Sequence, residues 1–214
     1  MTPAPILVSL NIGRTWTRPG ARALRSAIWK QPVLLPLDLG LEGLAGDQQA
    51  NRRVHGGRDK AVCVYPAEHA VYWRETLGVP EWGPGAVGEN FTVDGQTETS
   101  VCLGDIYDVG TARVQVSQPR SPCQTLARRW QRPDLPKRVV QSGYSGWYLR
   151  VLRVGRVESG AALTLVTRPH PAWTIARVND VSYGLVPSVG ADDVRALAAL
   201  PELADAWTRG ILRA

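Results

Sequence analysis

From Ile6 to about Val166 the sequence is a succession of short apolar or alternating runs, each cut within a few residues by Gly, Pro or Asp. Runs of that length suit strands and are too short for helices that must bury a face over several turns. They include Ile6–Leu10, Val33–Leu37, Ala61–Tyr65, Asn90–Val93, Ile106–Val109, Val114–Ser117 and Leu163–Val166. Gly95, Gly104, Gly110 and Gly160 fall between them, where hairpin turns demand positive φ or a bulge. The pattern predicts a mainly β fold, a barrel or sandwich with few helices. One helical interruption is expected at Pro66–Glu75, where a proline suits a first turn and apolar or aromatic positions recur at helical spacing.

The tail differs in kind. Thr174–Val181, Ala191–Ala198 and Pro201–Leu212 read as three short helices, with Asp192 and Asp193 placed at the positive end of the second helix dipole. Helices this short need tertiary support, so they are expected to dock through Trp173, Ile175, Val178 and Trp207. The predicted organisation is a β-barrel domain over residues 1–168 and a small three-helix domain over residues 169–214, a lid or a partner surface.

The chain has 214 residues, enough for a substantial core, and a net charge of +6 that makes an anionic ligand plausible. Its three cysteines, Cys63, Cys102 and Cys123, are odd in number and form no CxxC pair, which disfavours a disulfide framework or a zinc ribbon. With no export signal and no apolar run of membrane-spanning length, a cytoplasmic protein without a membrane partner is expected. The densest basic stretch, Arg128 to Arg138, reads either as a solvated helix face or as a surface for an acidic partner. Nucleotide-binding GxGxxG and Walker A loops, HExxH and GxSxG are all absent. The eight tryptophans are scattered, as core aromatics are, so nucleic-acid binding is not expected.

Chemistry concentrates around one thiol. In Gln118-Pro119-Arg120-Ser121-Pro122-Cys123 two prolines cut a strand short and stiffen the approach to Cys123, while Arg120 favours its thiolate, the form that attacks electrophiles and binds soft metals. A long polar run, Gly46 to Lys60, precedes the strand at Ala61. Its Gly56-Gly57 pair lets backbone N–H groups approach a ligand, and Arg53, His55 and Lys60 add donors for an anion. Gly88-Glu89-Asn90 sets a carboxylate and an amide at a strand entry, and Arg14 and Thr15 follow the first strand.

Taken in order, Gly46-Asp47-Gln48, His55-Gly56-Gly57, Gly88-Glu89-Asn90, Gly104-Asp105, the loop ending at Cys123 and Gly146-Trp147 resemble the MOSC family of molybdenum cofactor proteins. Within it the chain looks like the N-hydroxylaminopurine-resistance branch, whose members carry a MOSC β-barrel followed by three helices. The resemblance implies that Cys123 ligates molybdenum and that the pterin cofactor brings two dithiolene sulfurs of its own. It also places Arg14 and Thr15 where relatives often carry a Lys and a small hydroxyl residue against the cofactor; the arginine keeps the charge and changes the reach. Arg53, His55, Gly56, Gly57, Lys60, Asn90, Arg120 and Ser121 are further candidates for the anionic pocket.

The implied activity is reduction of N-hydroxylated bases to amines with loss of water, a detoxification, with His55 or Glu89 as proton source. The sequence carries no flavin, haem or iron–sulfur pattern, so a separate reductase is expected to deliver electrons. The alternative is a sulfur carrier or cofactor delivery module that uses Cys123 as a persulfide.

Overall fold

The computed structural model describes residues 4–19 and 23–212. Among these, the strands are β1 (Ile6–Ile12), β2 (Trp16–Arg18), β3 (Leu24–Ser26), β4 (Gln31–Val33), β5 (Leu37–Gly40), β6 (Gly43–Leu44), β7 (Val62–Pro66), β8 (Phe91–Asp94), β9 (Ile106–Val109), β10 (Ala112–Pro119), β11 (Trp147–Arg153), β12 (Gly155–Val157) and β13 (Leu163–Thr167). The helices are α1 (Arg52–His55), α2 (His69–Leu77), α3 (Gln124–Trp130), α4 (Leu135–Ser142), α5 (Ile175–Tyr183), α6 (Ala191–Ala198) and α7 (Asp205–Ile211), with a 3-10 turn at Arg58–Lys60.

Eight strands form the main sheet in the order β13-β9-β10-β11-β7-β8-β1-β4. Neighbours are antiparallel except β7 and β8, and parallel neighbours need a long crossover, which the segment containing α2 supplies. The expected closed barrel is corrected here. The two end strands do not pair; the segment just before β13 instead meets the start of β1 through an isolated bridge, Ile6 to Ala162, with Leu7 N–H donating to Ala161 O at 2.9 Å, Gly160 N–H to Leu7 O at 2.7 Å and Leu163 N–H to Pro5 O at 2.8 Å. The end strand β4 covers only Leu10–Ile12 of β1, is three residues long and carries Pro32, which lacks a ladder donor, so it extends no ladder toward β13. Bulges in β1 and in the β10–β11 pair bend the sheet without sealing it.

The period-2 alternation buries one face. Leu7, Val62, Val64, Phe91, Val93, Val114, Val116, Trp147 and Leu149 make the sheet's apolar core. A second core, around Trp73, Trp82, Leu126, Leu135 and Val139, lies between α2, α3 and α4 and holds the elements that follow the cysteine loop. The chain is therefore a mixed α/β protein and not one with few helices.

Two local expectations also change. Val33–Leu37 is not one strand: Pro36 interrupts it, and Leu34 and Leu35 are 94% and 72% exposed. Pro66 ends β7 instead of opening α2.

The three tail helices form at the expected places, and the Thr174 side chain caps α5 by accepting from Arg177 N–H at 3.1 Å. Ile175 enters the sheet core, while Val178 and Trp207 pack with Leu103, Leu197 and Leu203, with Trp173 against them. Backbone bonds from Ile175 N–H to Val101 O and from Ala204 N–H to Ser117 O fasten the tail to the sheet.

Candidate active site

Cys123 stands where β10 gives way to α3. Its backbone is extended (φ −127°, ψ 156°) at the N-cap of α3, yet its sulfur caps nothing, so the thiol is free to face a cleft of about 260 Å³. Pro119 still pairs with Trp147 as the last rung of the ladder, and the loop leaves the sheet at Arg120. Arg120 N–H donates to Gly146 O at 3.0 Å, which explains the Gly-Trp motif. Gly146 has φ 69°, and a Cβ there would meet Val64 O at 2.3 Å, so only glycine allows the approach that fixes Arg120.

Arg120 is 4% exposed; its guanidinium donates from Nη2 to Val87 O at 2.9 Å, while Nη1 has no partner among the described residues. A buried unpaired cationic donor is costly, so its retention beside the cleft points to an anion as the missing partner. Burial works against the charge on Arg120, but Cys63, Tyr148, Cys123 and Tyr65 around it raise its pKa.

The opposite wall is organised by Asp47. Its Oδ1 accepts from Gly13 N–H at 2.8 Å, and its Oδ2 accepts from Lys30 Nζ at 2.5 Å, Asn90 Nδ2 at 2.9 Å and Gln49 Nε2 at 3.2 Å. Asn90 also donates to Asn11 O and accepts from Cys63 N–H, so the Gly-Asp and Gly-Glu-Asn motifs form one buried knot that joins β1, β7 and β8. Glu89 does different work. It is buried, and it accepts from Gly85 N–H at 2.6 Å, Val87 N–H at 3.0 Å and Thr92 Oγ1 at 2.9 Å, which leaves it no role as a proton donor in the cleft.

His55, Lys60, Asn90, Arg120, Ser121 and Cys123 all line the cleft. The other candidates do not. Arg14 and Arg53 are exposed outside it, Thr15 donates its N–H to Gln48 Oε1, and Gly56 and Gly57 shape the turn after α1 without reaching the lining. His55 has its pKa lowered from 6.5 by burial, then by Arg120 and Lys60, so it is neutral at neutral pH. Burial also lowers Lys60, whose Nζ donates to Val54 O at 2.7 Å.

Lys30, Cys63 and Tyr148 are lining residues that sequence reasoning missed. For two of them a signal existed. In Val62-Cys63-Val64 and Trp147-Tyr148-Leu149 the outer residues enter the core, so alternation turns Cys63 and Tyr148 to the other face, where they pair across β7 and β11. Burial pushes the Cys63 thiol up to about 11, and Tyr148 is raised by burial and then by Cys63, so both keep their protons. Lys30 carries no local signal, because only the return of the chain brings it to Asp47. The tail also reaches this site: Tyr183 at the end of α5 lies against Ser121 and feels the charge of Arg120.

The MOSC domain model matches residues 51–164, a span that contains α1, Asn90 and the cysteine loop. The chain belongs to the MOSC domain family. This MOSC protein is 38% identical to the uncharacterized protein YflK of Bacillus subtilis over 97% of its own length and 93% of that protein's. The crystal structure of YiiM from Geobacillus stearothermophilus superposes with a TM-score of 0.82 at 42% identity and covers 98% of each chain. A protein of Gibberella moniliformis named "Reductase" is 35% identical over 84% of this chain, which matches 33% of that longer protein. The family is associated with the molybdenum cofactor. No helix among the described residues is long and apolar enough to cross a membrane.

Proposed function

We propose that this MOSC protein belongs to the N-hydroxylaminopurine-resistance branch and reduces N-hydroxylated bases, taking R–NHOH, two electrons and two protons to R–NH2 and water. The observation that carries the proposal is the free Cys123 thiol in a cationic cleft beside the unpartnered Nη1 of buried Arg120. The name "Reductase" on the Gibberella moniliformis relative supports the direction of the chemistry.

The residues present fit a molybdenum cofactor. Among the described residues no group of three or more His, Cys, Asp or Glu side chains is arranged to hold an ion, whereas a metal already carried on two dithiolene sulfurs asks the protein for one soft donor and an anion pocket. Cys123 would be the donor, and Arg120, Lys60, His55 and Ser121 would hold the anionic end. When bound, the cofactor supplies the two-electron redox chemistry.

The chain's own residues do the rest. Arg120, held by Gly146 O and Val87 O, places a fixed positive charge beside Cys123 without reorganising. His55 is the proton carrier: neutral in the empty cationic cleft, it takes up a proton more readily once an anion offsets Arg120 and Lys60. Asp47 neutralises Lys30 and keeps Asn90 in place.

The test is metal content and turnover of protein made in a cofactor-competent host, with N6-hydroxyadenine as substrate and reduced methyl viologen as donor. The expected result is about one molybdenum per chain, adenine as product, and loss of both in Cys123→Ala, since Cys63, the other thiol of the lining, is kept protonated by burial. Metal retained in that variant would defeat the ligand assignment. A labile extra sulfur on Cys123 by intact mass, without turnover, would replace the proposal with a sulfur carrier.

A further inference from the structure

Segments 23–30 and 48–60 contribute to the cleft lining, and 14–18 adjoins them through the bond from Thr15 N–H to Gln48 Oε1; together the three hold eight cationic side chains and one carboxylate, Asp59. That carboxylate is spent on Arg150 at 2.9 Å. Four of the cations are tied into the protein: Lys30 to Asp47, Arg52 to Glu42, Arg18 to Arg129 O and Lys60 to Val54 O. Arg14, Arg25, Arg53 and Arg58 are exposed and have no hydrogen bond or ion pair among the described residues.

Their places in the fold set them around the opening. Arg25 lines the cleft itself. Arg53 lies between Asn51 and His55, Arg58 stands two residues before Lys60, and Arg14 adjoins Thr15, which is bonded to Gln48; all four of those reference residues are lining residues or bonded to one. Apolar surface is exposed among them: Trp16 is 53% exposed opposite Ser26 on the β2–β3 pair, and Val54 is 49% exposed on α1. Exposed apolar groups encircled by unpaired charge of one sign are what a transient protein interface needs, the charge for steering and the apolar groups for contact.

We propose that this rim is the docking face for an electron-carrier protein with an acidic surface, which would bring its redox group to the mouth of the cleft that holds Cys123. The inference rests on the reductase function proposed above, whose two electrons per substrate must come from outside the chain. A bound phosphate explains the rim less well, because it needs donors that converge and are held, whereas these four arginines are spread over three segments and no side chain among the described residues fixes them.

The experiment uses the holoprotein and an acidic flavodoxin as probe, with wild type compared with Arg14→Glu/Arg53→Glu/Arg58→Glu. Binding is measured by titration calorimetry at about 50 mM and about 300 mM salt, where screening of exposed charges differs strongly. Expected is binding that weakens about tenfold or more in the triple variant and in high salt. Equal binding of flavodoxin by both proteins overturns the proposal, as does its absence in the wild type. Tighter binding of a single-stranded DNA 12-mer than of flavodoxin overturns it in favour of a nucleic-acid surface. If the viologen assay shows no turnover while flavodoxin binding still depends on the three arginines, the reductase function falls and the docking face stands.

Discussion

Two arginine-rich regions flank the cleft, and the structure gives them opposite roles. In α3, α4 and their junction, Arg128 donates to Ala23 O, Arg129 to Ile28 O and Gly85 O, Arg132 to Leu77 O, and Arg138 pairs with Asp134. The first three reach backbone carbonyls and Arg138 an exposed carboxylate, and the two bonds of Arg129 brace the segments that carry Ile28 and Gly85 at the cleft. Around the mouth, Arg14, Arg25, Arg53 and Arg58 do none of this. Charge density along a sequence does not separate a structural arginine from one kept for a partner; the accounting of donors and acceptors does. Within the stretch that reads as a solvated helix face or a surface for an acidic partner, Arg129 is an internal brace, while Arg128, Arg132 and Arg138 stay exposed.

Breaking the bracing should cost most. Glu89→Ala orphans the Gly85 and Val87 N–H groups and removes a carboxylate facing Arg129, a loss expected near ~4 kcal/mol and visible as a lowered urea midpoint at unchanged slope. Arg129→Met strands Ile28 O, takes the second of two donors from Gly85 O and should lose roughly 2 kcal/mol, whereas Arg53→Ala at the rim should stay within about 0.5 kcal/mol of wild type. Equal costs for Arg129 and Arg53 would erase the distinction.

Arg120→Met sharpens the contrast from inside the cleft. The substitution gives up the bond to Val87 O but also removes a buried charge with an unpartnered donor, so stability without ligand should change by only about 1 kcal/mol. Molybdenum per chain should nonetheless fall at least tenfold, an effect of ~1.4 kcal/mol or more on anion binding. A variant that loads metal normally would show that Nη1 serves no ligand.

The smallest effect is on pH dependence. The folded-state pKa of His55 lies below its ordinary 6.5, so its neutral form supports the fold fully above that value, and the support is lost as pH falls through the lowered one. Stability of the cofactor-free protein should decline over that acidic window, and His55→Gln should flatten the decline. An unchanged slope in the variant would mean that another group titrates there.

Much of the fold was legible because local physics dictates it. Short runs bounded by glycine became strands, Gly95, Gly104, Gly110 and Gly160 all take positive φ, and Thr174 caps the first tail helix where its side chain predicts. Cys123 and Arg120 could be singled out because proline geometry and a neighbouring charge act within a few residues. The knot at Asp47 could not, since Gly13, Lys30 and Asn90 are brought together only by the return of β1 and β8. Glu89 and Asn90 are adjacent, yet one holds a turn and the other lines the cleft.

By itself, then, the sequence determined the strand and helix periods, the turns and the reactive loop, all governed by interactions short in chain distance. Tertiary structure alone decided that the sheet stays open, that Arg129 of α3 turns inward and that one guanidinium nitrogen of Arg120 is buried without a partner among the described residues. Those outcomes depend on which distant carbonyls, carboxylates and glycines the folded chain sets beside each group, and no local pattern encodes that.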